Sequence, residues 1–296
     1  MALITLPQGI LQMNVFTDAT PFLSDPTALR KQAESEGYLF FKQALPKEPV
    51  LSLRQALLKI LADHGLLNQE RSESEAWPHS RNVTALVRSG HLAYGVGVTH
   101  DIYLKIQKLQ AFHALPHHPN LLHIFRLIFN QNPLLHPRNI CRLMLPGNPT
   151  TPPHQDFVQI GGSRNTWTCW FPIGNCPVEL GGLAILPGSH KKGLLPVRSS
   201  EGAGGLATQL CPEEYTWLQH DMEAGDILIF HSLTVHKAIE NEQKRIRFSY
   251  DCRYQPVSEP IESASLRPHC DLASWDELYD DWREQSLQYY WKSYPL

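Results

Sequence analysis

Seven short runs rich in β-branched and aromatic residues lie between Asn139 and Tyr254, and they limit the fold more than any other feature of the chain. They read ICRLML, FVQI, TWTCWFPI, LAILP, DILIF, TVHKA and RIRFSYDCRY, and proline, glycine or polar residues separate them. Short strands joined by turns argue for an antiparallel barrel or sandwich rather than a parallel sheet. The stretch from Gly188 to Pro212 carries five glycines and few apolar residues, which predicts a long loop at the mouth of that barrel.

The N-terminal half has a different texture. Residues 1–24 predict an irregular lead-in. Asp25-Pro26 supplies an N-cap and a proline at the first helical position, and Gly37 ends that helix. Tyr38 to Phe41 predicts a strand. Val50, Leu53, Leu57, Leu58 and Leu61 recur at helical spacing between Pro46 and His64, with Gly65 closing the segment and Arg54 and Lys59 off the stripe. Periodicity fades from Leu66 to Thr99, so a long connection is expected there. Helices are expected again over Asp101–Ala114 and Pro119–Asn130. The tail after Pro256 carries Trp275, Tyr279, Trp282, Tyr289, Tyr290 and Trp291, which predicts that it packs back on the body. The expectation is one domain over 1–296: a helical part to about 135, a barrel over about 136–256, and a tail over 257–296.

A chain of 296 residues is long enough to bury a sizeable core. Its net charge of −3 predicts no attraction to nucleic acid or to an anionic membrane. No apolar run approaches the length of a bilayer span, and the first residues lack the basic start of a signal peptide. The six cysteines, at 141, 169, 176, 211, 252 and 270, show no metal or disulfide spacing and are expected to be structural. A cytoplasmic protein that partners neither nucleic acid nor a membrane is the resulting expectation.

Chemistry concentrates at His154-Gln155-Asp156. Side chains alternate along an extended segment, so an imidazole and a carboxylate two residues apart project to one side as adjacent metal ligands. His236, 80 residues beyond Asp156, is the third candidate. Two histidines and one carboxylate leave open positions on a metal and suit non-haem Fe(II) oxygen chemistry. Arg247, eleven residues further, is expected inside the last strand, where a buried guanidinium calls for an anionic partner and a carboxylate matches its fork. Arg245 competes for that role. Arg142, on the first barrel strand, is expected to reach substrate or to pair with a strand acid. His190 and His231 read as structural, His117 and His118 as solvent or capping groups, and Trp167 and Trp170 also suit simple core packing.

Taken together, His154-Gln155-Asp156, Trp170, GGLAILPGSHKKG over 181–193, GDILIFH ending at His231, His236 and Arg247 resemble the phytanoyl-CoA dioxygenase family of Fe(II)/2-oxoglutarate oxygenases. The N-terminal helix, GYLFF and second helix resemble it too. The resemblance implies a mainly β protein with flanking helices, a double-stranded β-helix (jelly-roll, cupin-like) barrel. It implies His154, Asp156 and His236 as iron ligands, Arg247 on the distal carboxylate of 2-oxoglutarate, and Trp170 beside that co-substrate. Some members have a hydroxyl residue where this chain has Ala238, so Thr234 or Ser249 is expected to supply the second carboxylate partner. The implied reaction uses Fe(II), 2-oxoglutarate and O2 to hydroxylate an unactivated C–H bond of a small-molecule organic substrate, with succinate and CO2 as by-products. The alternatives are a halogenase, which Asp156 argues against, a desaturase or epoxidase, and a metal-binding cupin without activity, for which Arg247 has no use. Substrate choice is expected from three regions: 81–99, 188–212 and the tail.

Overall fold

The computed structural model describes residues 14–89, 92, 95–202, 204–210 and 215–296; Cys211 and the first thirteen residues lie outside these. Helix α1 (Pro26–Glu36) starts where its cap dictates, because the Asp25 carboxylate accepts from the backbone N–H groups of Thr27 and Ala28. It stops at Gly37, whose φ of 71° is left-handed. A β-carbon at Gly37 would also lie 2.2 Å from His190 Nδ1, so only glycine fits. Strand β1 (Tyr38–Phe41) follows, then α2 (Lys47–Asp63). That helix buries Val50, Leu53, Leu57, Leu58 and Leu61, the five residues whose spacing predicts its inner face. Truncating one of these to alanine should cost roughly 2–5 kcal/mol.

Three expectations for this half need correction. The region expected to be a featureless connection contains α3 (Ser80–Ser89), which buries only Val83 and so carries no apolar stripe to read. The helix expected over Asp101–Ala114 is two, α4 (His100–Gln107) and α5 (Gln110–Ala114), with Leu109 extended between them. Side chains satisfy its backbone. Trp282 Nε1 donates to the Lys108 carbonyl, and the Gln107 carbonyl bonds His113 Nε2. Helix α6 (Pro119–Phe129) begins at His118, whose ring nitrogen accepts from the Asn120 N–H. His117 is no solvent group, since its ring packs edge-on at 4.4 Å from Tyr290.

The strands are β2 (Pro133–Leu135), β3 (Ile140–Met144), β4 (Trp167–Pro172), β5 (Leu183–Ile185), β6 (Val197–Ser199), β7 (Leu206–Thr208), β8 (Ile227–His231), β9 (His236–Ala238) and β10 (Arg247–Pro256). A six-stranded sheet runs β1-β8-β4-β10-β2, with β3 also paired to β10; β5 pairs β9, and β6 pairs β7. Every one of these strand pairings is antiparallel. Helices and antiparallel sheets share the chain, so it is mixed α/β rather than mainly β. FVQI is a short helix, α7 (Phe157–Ile160), not a strand: Asp156 already has helical dihedrals and Gly161, at φ 62°, ends it. Four apolar-rich residues cannot separate the two periods. The region expected to be a plain loop, 188–212, contains the β6–β7 hairpin.

Strand β10 divides the molecule. Phe248, Tyr250, Cys252 and Tyr254 face the large core shared with the helices. By alternation Arg247, Ser249, Asp251, Arg253 and Gln255 line the opposite face, all buried. Thr168 and Trp170 of β4 sit opposite Arg253 and Asp251 and point the same way. The tail packs as expected, with Trp275, Leu278, Tyr279, Trp282 and Trp291 clustered on Leu134 around α8 (Trp275–Tyr279). Among the described residues no helix is long and apolar enough to cross a membrane. Cys141, Cys169, Cys176 and Cys252 are buried free thiols, whereas Cys270 is exposed.

Candidate active site

His154 and His236 come together through the backbone. Each donates its N–H to the other's carbonyl, at 2.9 and 3.0 Å, which makes them a hydrogen-bonded antiparallel pair with side chains on one face. Their rings lie 4.1 Å apart. His154 Nδ1 donates to the Pro152 carbonyl at 2.8 Å and His236 Nδ1 to the Thr234 carbonyl at 3.0 Å. Those bonds fix the tautomer and leave both Nε2 lone pairs facing inward. Asp156 Oδ1 lies 3.6 and 3.7 Å from the two Nε2 atoms. One ligand atom from each of the three residues falls within 4.8 Å of the others.

The second carboxylate oxygen is held separately. Thr168 donates its hydroxyl to Asp156 Oδ2 at 2.5 Å, and Arg253 Nη2 lies 3.5 Å from the same atom. Burial alone would raise the Asp156 pKa, but Arg253 and the two histidines hold the carboxyl well below its usual range. Burial pushes His236 down to about 3, with the neighbouring His154 adding to the effect, so its imidazole is neutral. An anionic carboxylate and neutral imidazoles are the forms that bind metal.

The residue between the ligands points away. Gln155 donates to the Gly193 and Leu233 carbonyls and accepts from the Leu195 N–H, tying the segment after β5 to the loop before β9.

Arg247 is fully buried with no acidic partner among the described residues. Nη1 donates to Ser249 Oγ at 2.5 Å, Nε has no partner, and the guanidinium stands 5.8 Å from the centre of the Trp170 ring. Burial pushes its pKa down. Thr168 and Trp170 are successive residues on one face of β4, so about 7 Å along the strand separates the group touching Asp156 from the one against Arg247. Of the two hydroxyl residues considered beside Arg247, Ser249 is in contact; the Thr234 hydroxyl donates instead to the Gly37 carbonyl. Arg245 precedes β10 and bonds Gln243 Oε1. His231 lies edge-on to Trp167 and near His190, outside the ligand group.

A cavity of about 380 Å³ opens beside the ligands, lined by His154, Asp156 and Arg253 among others. Arg142 both pairs with Asp251 at 3.2 Å and reaches this wall. Arg253, His136 and Arg138 also line it and were not singled out from the sequence. The alternation of β10 inward from Arg247 marks position 253, but nothing local distinguishes it from a surface arginine.

The profile of the phytanoyl-CoA dioxygenase family matches residues 33–249. The 1-deoxypentalenic acid 11-beta-hydroxylase of Streptomyces exfoliatus is 28% identical over 282 residues, covering 90% of this chain and 92% of that one. Among solved structures, EvdO2 of Micromonospora carbonacea var. aurantiaca complexed with 2-oxoglutarate has a TM-score of 0.53 at 18% identity, covering 79% of this chain and 91% of that one. The epimerase SnoN, in complex with Fe3+, alpha ketoglutarate and nogalamycin RO, has a TM-score of 0.52 at 19% identity, with 81% and 86% covered. The match over most of its length shows that the chain belongs to the phytanoyl-CoA dioxygenase family of Fe(II)- and 2-oxoglutarate-dependent oxygenases.

Proposed function

We propose that the chain hydroxylates an unactivated C–H bond of a small organic molecule, with iron held by His154, Asp156 and His236. The observation that carries this reading is the pairing of that ligand group with a buried guanidinium lacking an acid partner among the described residues: Arg247 stands beside Trp170, two residues along β4 from the Thr168 that holds Asp156. The donor set fits Fe(II): two imidazoles and a carboxylate, all preformed, with room for further ligands. A five-carbon dicarboxylate reaching from the metal would present its far carboxylate to Arg247 and Ser249, beside Trp170. Bound there, the metal and co-substrate supply the oxidation: one atom of O2 enters the C–H bond, the other enters succinate, and CO2 leaves. The hydroxylase relative from Streptomyces exfoliatus supports that outcome.

The chain's own groups do the positioning. Thr168 and Arg253 engage Asp156 Oδ2 and leave Oδ1 to the metal, while the Pro152 and Thr234 carbonyls orient the imidazoles. The six-stranded sheet and the β5–β9 pair, joined through the His154–His236 bridge, form the two halves of a double-stranded β-helix, with the helices and tail in the same domain. The test is succinate release from 2-oxoglutarate with Fe(II) and O2. Turnover that is lost in Asp156→Ala and Arg247→Ala supports the reading, and a metal-loaded protein that neither binds 2-oxoglutarate nor releases succinate overturns it.

A further inference from the structure

The wall of the cavity beside the metal ligands brings together Arg138, Arg142, Arg253 and Arg267 from three separate regions of the chain. Their acid partners are few. Arg142 pairs with Asp251, Arg267 with Asp271 at 3.1 Å, and Arg253 with Asp156. Four guanidiniums against three carboxylates leave one positive charge, and Arg138 is the one without a partner acid among the described residues. Its Nε donates only to the Arg267 carbonyl. Arg253 is 7% exposed, and its Nε has no hydrogen-bond partner. The histidines do not add to the charge, because burial pushes His136 down to about 3 and His269 to about 2.

The rest of the wall is of another kind. Ile140, Val158, Ile160, Val197 and Leu206 contribute apolar surface from β3, α7 and the β6–β7 hairpin. A wall that carries both guanidiniums and aliphatic side chains matches a ligand with an anionic group on an apolar frame. A single excess charge matches one carboxylate, whereas a phosphorylated carrier would bring several negative charges into a cavity of this size.

Resting on the oxygenase reading, we propose that the prime substrate is an apolar organic acid whose carboxylate is anchored by Arg138 and Arg253. Charge-assisted, planar contacts of this kind are the strongest that a neutral-pH cavity offers a carboxylate. Because Arg253 also touches Asp156, the anchor fixes the acid's carbon frame at a set distance from the metal.

The experiment is calorimetric titration of the full chain loaded with Zn(II) and 2-oxoglutarate, so that the co-substrate already occupies Arg247. The probes are matched sets: decanoate, decan-1-ol and decyl phosphate, then adamantane-1-carboxylate and 1-adamantanol. At least one acid should bind about tenfold or more tighter than its alcohol, and Arg138→Gln should bring the two within about threefold. Arg253→Lys, which keeps the charge beside Asp156, should give an intermediate loss. Equal binding of acids and alcohols, no binding by any acid, a preference that survives Arg138→Gln, or tighter binding of decyl phosphate would each overturn the proposal. A protein that takes up neither Zn(II) nor 2-oxoglutarate sinks the oxygenase reading and this one with it; a loaded protein indifferent to carboxylates sinks this one alone.

Discussion

His154 and His236 hold each other by two reciprocal backbone hydrogen bonds, although 82 positions separate them in the chain. The ligand side chains therefore ride on a geometry that their own substitution does not remove. His154→Ala, Asp156→Ala and His236→Ala should each abolish metal uptake, read by Co(II) titration, while circular dichroism stays that of the parent protein. Full metal uptake in any of the three would show that the ligand set is wrong. His231→Ala, outside the group, should retain it.

The grip on Asp156 Oδ2 yields a finer expectation. Thr168 is completely buried and its hydroxyl has the carboxylate as partner, so Thr168→Val keeps the shape and deletes one bond. Loss of an outer hydrogen bond to a ligand costs metal affinity by roughly 10–100-fold. Thr166→Val is the control, because the Thr166 hydroxyl donates to the Ser163 carbonyl on another path. Equal loss in both variants would mean that Thr168 acts through packing.

What could be read from the chain differs by kind. The α2 stripe, the α1 caps and β1 were legible because each depends on local spacing and on a few residue types with fixed backbone preferences. The ligand triplet was legible in its residues but not in its conformation: Asp156 is helical, not extended, and shares a side with His154 for a different reason. Helix α3 and the β6–β7 hairpin were not legible, since α3 buries one residue and β6 is wholly exposed. The arginines of the cavity were least legible. Arg138, Arg253 and Arg267 meet only after β10 pairs with its neighbours and the tail folds over, and no local pattern encodes that.

Buried histidines outside the ligand group make stability depend on pH. His113 is fully buried, bonded through Nε2 to the Gln107 carbonyl, and burial pushes it down to about 3. Its pKa is thus lower in the folded state than the ordinary 6.5. The stability linked to it is complete above that value and is lost as pH falls towards the folded one. Between pH 7 and pH 5 this amounts to roughly 2 kcal/mol for one such histidine. Urea midpoints should fall over that interval, and His113→Gln, less stable at both values, should show a smaller drop. An unchanged drop would mean that His113 does not gain a proton on unfolding.

Arg247 gives the sharpest separation of roles. It is buried, stands against Trp170, touches Ser249 and has no acid partner among the described residues, so a dicarboxylate bound as proposed would compensate its charge. Removing one partner of a buried charged pair costs about 2–5 kcal/mol. At about 1.4 kcal/mol per tenfold, Arg247→Ala should raise the KM for 2-oxoglutarate by on the order of 30-fold or more. Metal affinity should change little, because the guanidinium is not a ligand. Arg247→Lys keeps the charge without the planar fork and should fall between. Arg245 is only half-buried, precedes the strand and is engaged by Gln243, so Arg245→Ala should leave that KM nearly unchanged. A large effect at position 245 with none at 247 would place the carboxylate site outside β10, on the turn before it, and would remove the co-substrate role from the guanidinium beside Trp170.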